Sequence, residues 1–217
     1  MTKLRKNHKA TSVWDEVAEL KREKILQSAV DLFYTNGYLQ TTMDEIAESI
    51  GATKPFVYSH YANKAELLSE IARRTLREWL GVTTQVSEKS LPPTEALSLA
   101  THKFTMIGLG MYKLVSIYFR EQLNLPKEVA VEIAKMRREI DGQVRTILSD
   151  GRKDGVFEFD DLAVASQVVT GMVSYVFAWY REPSRLAKDA ICSQMVLHVL
   201  RSVGASTAGT QVRPPPS

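Results

Sequence analysis

Cysteine is almost missing from this sequence. Cys192 is the single thiol in 217 residues, so no disulfide closes within one chain, and a reducing, intracellular setting is expected. It lies in an apolar helical run, where a thiol reads as a small, buried, inert hydrophobe. Histidine is scarce as well: His8, His60, His102 and His198 are scattered, with no His-x-x-x-His pair and no carboxylate pair on an evident scaffold. Neither a P-loop nor a G-x-G-x-x-G is present, which removes the signal for a nucleotide cradle. Asp160-Asp161 reads as a helix cap. No catalytic residue, metal or cofactor is assigned, and the chain reads as non-enzymatic. No secretory apolar core follows the basic N-terminus, and no apolar run is expected to reach the roughly 18 residues that span a bilayer. A soluble, cytoplasmic protein without membrane contact is the expectation. Strand signals are nearly absent, and internal repeats are not seen.

A large excess of either charge is missing too. The net charge of +3, with 24% charged and 44% hydrophobic residues, is that of an ordinary soluble globular chain. The protein as a whole is therefore no polyelectrolyte binder. Placement matters more: Lys3, Arg5, Lys6, His8 and Lys9 form a leading arm with no acid before Asp15. On duplex DNA such an arm adds salt-dependent phosphate contacts; otherwise it is a solvated tail. The length suits one small headpiece plus one helical body with a sizeable core.

What is present is concentrated between Thr41 and Lys64, TTMDEIAESIGATKPFVYSHYANK. Thr42 and Glu45 form a T-x-x-E capping box, opening a short helix with Met43, Ile46, Ala47 and Ile50 at helical spacing. Gly51 supplies the left-handed residue that ends it. Thr53 is placed to cap a second helix, Lys54 to Tyr61, with Pro55 tolerated in its first turn. Asn63 and Glu66 repeat the capping signal for the helix that follows. Two short helices turning about a glycine are the pattern of a helix-turn-helix, whose second helix enters the major groove. Within that second helix only Val57, with Phe56 as a second candidate, reads as buried. Lys54, Tyr58, Ser59, His60 and Tyr61 put donors on the remaining surface, suited to phosphate oxygens and base edges, while the helix N-terminus favours a phosphate. Lys64 is placed to add a further phosphate contact. The bland alternative is a surface helix with two half-buried tyrosines.

Residues Lys24 to Leu68 resemble the DNA-binding domain of the TetR family of bacterial transcriptional regulators. The matching pieces are Ile25-Leu26-x-x-Ala29-x-x-Leu32-Phe33-x-x-x-Gly37-Tyr38, Thr41-Thr42-Met43-x-x-Ile46-Ala47, Gly51-Ala52-Thr53, Val57-Tyr58-x-His60-Tyr61 and Lys64-x-x-Leu67-Leu68, without gaps. The resemblance implies an all-α fold. A three-helix, homeodomain-like helix-turn-helix headpiece would be followed by a helical ligand-binding and dimerisation body, with the fourth helix carrying the ligand signal to the DNA site.

The remaining periodicities agree. A first helix is expected from about Trp14 to Asn36 with Val17, Leu20, Ile25, Ala29, Leu32 and Phe33 inward, and a fourth from Lys64 to about Leu80. The polar stretch from Val82 to Pro93 reads as a domain boundary. Beyond it, Gly108 and Gly110 predict a break, and Lys127 to Asp150 is an amphipathic helix with Val131, Ile133, Met136, Ile140, Val144, Ile147 and Leu148 inward. The stretch from Asp161 to about Tyr180 is apolar almost all round, and the last helix, near Leu186 to Val203, has a wide apolar arc. Two such helices point to a homodimer through their pairing with a second copy, which the resemblance also implies. The expected organisation is a basic arm at 1–14, the DNA-binding domain at 15–81, an effector-binding and dimerisation domain at 82–204 and a disordered tail at 205–217.

The candidate DNA-binding set is Thr42, Thr53, Lys54, Pro55, Phe56, Tyr58, His60, Tyr61 and Lys64, toward a double-stranded operator. The family resemblance implies an effector site in the body. There Phe104, Met111, Tyr112, Tyr118, Phe119, Met136, Met172, Tyr175 and Trp179 are candidate lining residues, with His102, Arg120, Arg137 or Arg138 as polar partners. The run Gly171 to Tyr180 resembles members that sense acyl-coenzyme A thioesters, so a small apolar effector, an acyl thioester or an aromatic compound, is expected. The implied function is a ligand-responsive repressor. An activator, a ligand-independent regulator and a helical protein-interaction module without DNA binding remain open.

Overall fold

The computed structural model describes residues 13–205, and every described element is helical. The basic arm and most of the tail lie outside the described residues. The chain divides into two compact units at Leu67 and Leu68.

The first unit contains α1 (Val13–Asn36), α2 (Met43–Ser49), α3 (Lys54–Tyr58) and the opening of α4 (Lys64–Glu88). Its core gathers Ile25, Leu26, Ala29, Val30, Phe33, Ile46, Val57, Tyr61 and Leu67, all buried. Phe33 meets Tyr38 edge to face at 5.1 Å. Val17 and Leu20, expected inward, are instead exposed at 36% and 70%. The capping box forms as the sequence dictates: the Thr42 hydroxyl accepts from the Glu45 amide at 3.2 Å, and the Glu45 carboxylate takes the Thr42 amide at 2.7 Å. Helix α2 ends with Gly51 at φ +66°, while Ala52 N–H reaches back to the Ala47 carbonyl at 2.9 Å and Gly51 N–H to Glu48 at 3.0 Å. Those two bonds close a Schellman motif around a residue that needs no Cβ.

In the second unit α4 continues to Glu88, well past the expected stop near Leu80. Val82 and Val86 extend its apolar stripe and are buried with Leu76 and Trp79, so the polar look of this stretch belongs to one face only. Helix α5 (Pro93–Gly110) and α6 (Tyr112–Glu121) meet at the predicted break, followed by a short 3-10 turn at Gln122–Asn124. Helix α7 (Lys127–Lys153) buries Val129, Ile133, Ile140, Val144 and Leu148, whereas Val131, assigned to the inner face, is 62% exposed. Asp161 caps α8 (Leu162–Ser174) by accepting from the Val164 amide at 2.8 Å. The expected single helix to Tyr180 is broken at Tyr175, which separates α8 from α9 (Val176–Trp179). Helix α10 (Lys188–Ser202) packs mainly on α5, which absorbs most of its apolar arc. Cys192 is buried there, and burial pushes its thiol up to about 12.

By length and composition Leu162–Trp179 is apolar enough to cross a membrane, contrary to the expectation that no run would be. Within the unit, however, Val169, Val173 and Val176 are core residues. One face stays open: Val164, Val168, Tyr175 and Trp179 are 63%, 44%, 61% and 53% exposed, at helical spacing with exposed Gly171 between them.

Gly151 makes one local requirement explicit. A Cβ built there falls 2.0 Å from Cδ2 of the buried Phe157 ring. Gly151→Ala is therefore expected to destabilise the body by about 1–3 kcal/mol through overpacking, seen as a lower thermal midpoint. An unchanged midpoint would show that the ring moves freely aside.

Candidate nucleic-acid interface and effector cavity

Helix α3 is shorter than expected, five residues from Lys54 to Tyr58, because the chain leaves the helix at Ser59. Thr53 occupies the N-cap without a side-chain cap bond. Thr42, Thr53, Lys54, Pro55, Tyr58 and Ser59 are exposed, while Phe56 and His60 are half-buried and stand edge to face at 5.1 Å. Tyr61 does not belong to this face. It is 1% exposed, and Arg22 lies 4.2 Å above its ring while donating to the His60 carbonyl. Its role is to anchor the exit from α3 in the core.

The cations of the turn are partly engaged. Lys54 Nζ pairs with Asp44 at 2.9 Å, which raises the lysine pKa, and both groups are more than half exposed. An exposed pair of this kind contributes little to stability, so its exchange for a phosphate costs little. Lys64 Nζ donates to the Tyr38 and Leu39 carbonyls at 2.6 and 3.0 Å, over the Tyr38 ring. An ammonium carries three donors, so one remains for an outside acceptor. The arrangement is a tight, capped turn with hydroxyls and a displaceable cation on one exposed side.

The body contains a partly open cavity of about 520 Å³. Of the residues anticipated for an effector site, Phe104, Tyr118, Phe119 and Arg137 line it, and so does Arg138. Tyr118 and Arg137 are hydrogen-bonded, and burial raises the phenol pKa. Met111, Tyr112, Met136, Met172, Tyr175, Trp179 and His102 are not in the lining. Tyr112 packs on Tyr180 with centroids 5.7 Å apart, Met111, Met136 and Met172 fill the edge of the core, and Tyr175 and Trp179 face outward. His102 sits 3.8 Å from Asp189 on the α5 and α10 side, where burial lowers its pKa. Arg120 is exposed and outside the lining.

Residues 25–71 match the bacterial regulatory proteins of the tetR family, and residues 90–203 match the tetracyclin repressor-like C-terminal domain. The chain belongs to the TetR family. It is a transcriptional regulator whose headpiece is the family's helix-turn-helix DNA-binding domain. Over 86% of its length this TetR protein is 27% identical to the HTH-type transcriptional regulator YhgD of Bacillus subtilis (strain 168), of which 98% is covered. It is 26% identical over 83% of its length to the HTH-type transcriptional repressor KstR2 of Rhodococcus jostii (strain RHA1), covering 89% of that protein. The crystal structure of AibR in complex with isovaleryl coenzyme A and operator DNA has the same fold at a TM-score of 0.73, with 24% identity, 83% of this chain and 98% of that chain covered.

Several cavity residues of this TetR regulator escape an aromatic and methionine count: Leu76 and Trp79 on α4, Asp141 on α7, and Gln167, Thr170 and Ser174 on α8. The last three carried a readable signal. Polar side chains at i, i+3 and i+7 of an otherwise apolar helix form a stripe that must face something other than plain core. In the headpiece Arg22 and Asp44 were the missed partners, since neither belongs to the recognition helix.

Proposed function

We propose that this TetR-family chain is a cytoplasmic, ligand-responsive repressor that binds a near-palindromic operator as a homodimer and is released by a small effector held in the body cavity. The observation that carries this reading is the course of α4, one helix that begins at Lys64 and bears Leu76 and Trp79 on the cavity wall. A ligand that prefers one packing of those side chains acts on the same helix that begins at Lys64. It can shift the equilibrium only by its differential affinity for the two states. That one fold accommodates an acyl-coenzyme A and operator DNA together is illustrated by AibR.

In this reading Lys54, Tyr58, His60 and Lys64 carry the DNA contact, with Thr42, Thr53 and Pro55 close to the backbone and Phe56 supporting His60. The second copy covers the exposed stripe of α8 and α9, which no segment of its own chain covers among the described residues. Two recognition helices so held would enter successive major grooves.

The test is fluorescence anisotropy of the full-length protein on duplexes from the DNA flanking its own gene, across a salt series. Affinity should fall steeply, with a log–log slope of about −0.9 per phosphate neutralised. Absence of binding at low salt would remove the DNA-binding assignment.

A further inference from the structure

Two features of the cavity are not explained by packing alone. Trp79 is only 8% exposed and lines the cavity, yet its indole N–H has no acceptor. A buried donor left without a partner is destabilising, and a site that retains one is suited to a ligand that satisfies it. The second feature is charge. Arg137 and Arg138 bring guanidinium groups to the wall, and Arg138 forms no ion pair among the described residues. The carboxylate of the lining, Asp141, is already satisfied: it accepts from Arg145 Nε at 2.7 Å, Ser166 Oγ at 2.6 Å and Gln167 Nε2 at 3.2 Å. Its charge is spent inside the protein, so the cavity keeps a positive surplus. Leu76, Phe104, Phe119, Ile140 and Val173 make the rest of the wall apolar.

We propose that the effector is an amphipathic anion with a second, uncharged acceptor on its apolar body, the charge held by Arg137 and Arg138 and the acceptor by the Trp79 indole N–H. The proposal rests on the cavity being the effector site. A plain fatty acid satisfies the guanidinium groups and leaves Trp79 orphaned, whereas a neutral ketone does the reverse. Acyl thioesters of coenzyme A and oxo acids both carry the two groups.

Isothermal titration of the full-length protein with octanoyl-coenzyme A, 7-oxooctanoic acid, octanoic acid, 2-octanone and free coenzyme A separates these cases. At least one of the first two should bind about tenfold or more tightly than either single-group compound, the gain expected from one added buried hydrogen bond. Trp79→Phe keeps a ring in place and should abolish the advantage over octanoic acid. Arg137→Gln with Arg138→Gln should abolish the advantage over 2-octanone. A gain confined to the thioester, or to the oxo acid, supports the proposal and names the source. Equal binding of octanoic acid or 2-octanone, free coenzyme A binding as tightly as its thioester, or no binding of any probe would overturn it. If Trp79→Phe fails to fold, the wild-type series decides alone. Operator anisotropy in the same samples keeps the two readings apart. Release by a single-group compound retains the effector cavity and rejects this chemistry, while a two-group preference without release retains the chemistry and rejects control of DNA binding.

Discussion

Replacing Val168 and Tyr175 by arginine is expected to yield a folded monomer that has lost operator binding. Both side chains stand exposed on the α8 and α9 stripe, at 44% and 61%, so neither change disturbs the core of its own chain. In a pair of copies each arginine would be buried without a counter-ion, and an unpaired charge removed from water opposes association strongly. Two headpieces joined in one particle bind two half-sites with an avidity gain of roughly 10²–10⁴, and the monomer forfeits it. Sedimentation velocity and anisotropy measure the two effects on one sample. A variant that remains dimeric would place the interface elsewhere.

The second large effect is expected from Lys54→Ala combined with Tyr58→Phe. Each removes an exposed donor from the candidate DNA face, and neither side chain is a core residue. Each substitution removes a contact to DNA in both halves of a two-fold symmetric complex, so operator affinity should fall by about 10-fold or more. Loss of one lysine per protomer should also flatten the salt slope by about 2. Stability should hardly change, because the exposed Lys54–Asp44 pair contributes little. Undiminished affinity in the folded double variant would remove these residues from the interface.

How much of this could be read from the sequence depends on how local each signal is. The Thr42–Glu45 capping box, the Gly51 stop and the Asp161 cap are written within four residues, and all form as spelled. Helix α4 illustrates a limit: Thr83, Thr84, Gln85 and Ser87 make the stretch look like a linker, yet Val82 and Val86 continue the spacing of Leu76 and Trp79. Tyr61 marks another, because its burial depends on Arg22, 39 positions earlier in the chain. The cavity was the least legible. Aromatic content pointed to Phe104, Tyr118 and Phe119 but equally to Tyr112, Tyr175 and Trp179, which serve packing or stand exposed. Residue type alone does not tell a lined void from a filled core; the polar stripe on α8 was the better guide.

The most direct measurement is the operator affinity of the full-length protein with and without a ligand that calorimetry shows to be bound. The account predicts that a bound acyl thioester or oxo acid raises the operator Kd by about 5- to 150-fold, the usual span of allosteric coupling, and that Trp79→Phe reduces this response. An operator Kd unchanged by a ligand known to occupy the cavity would contradict it.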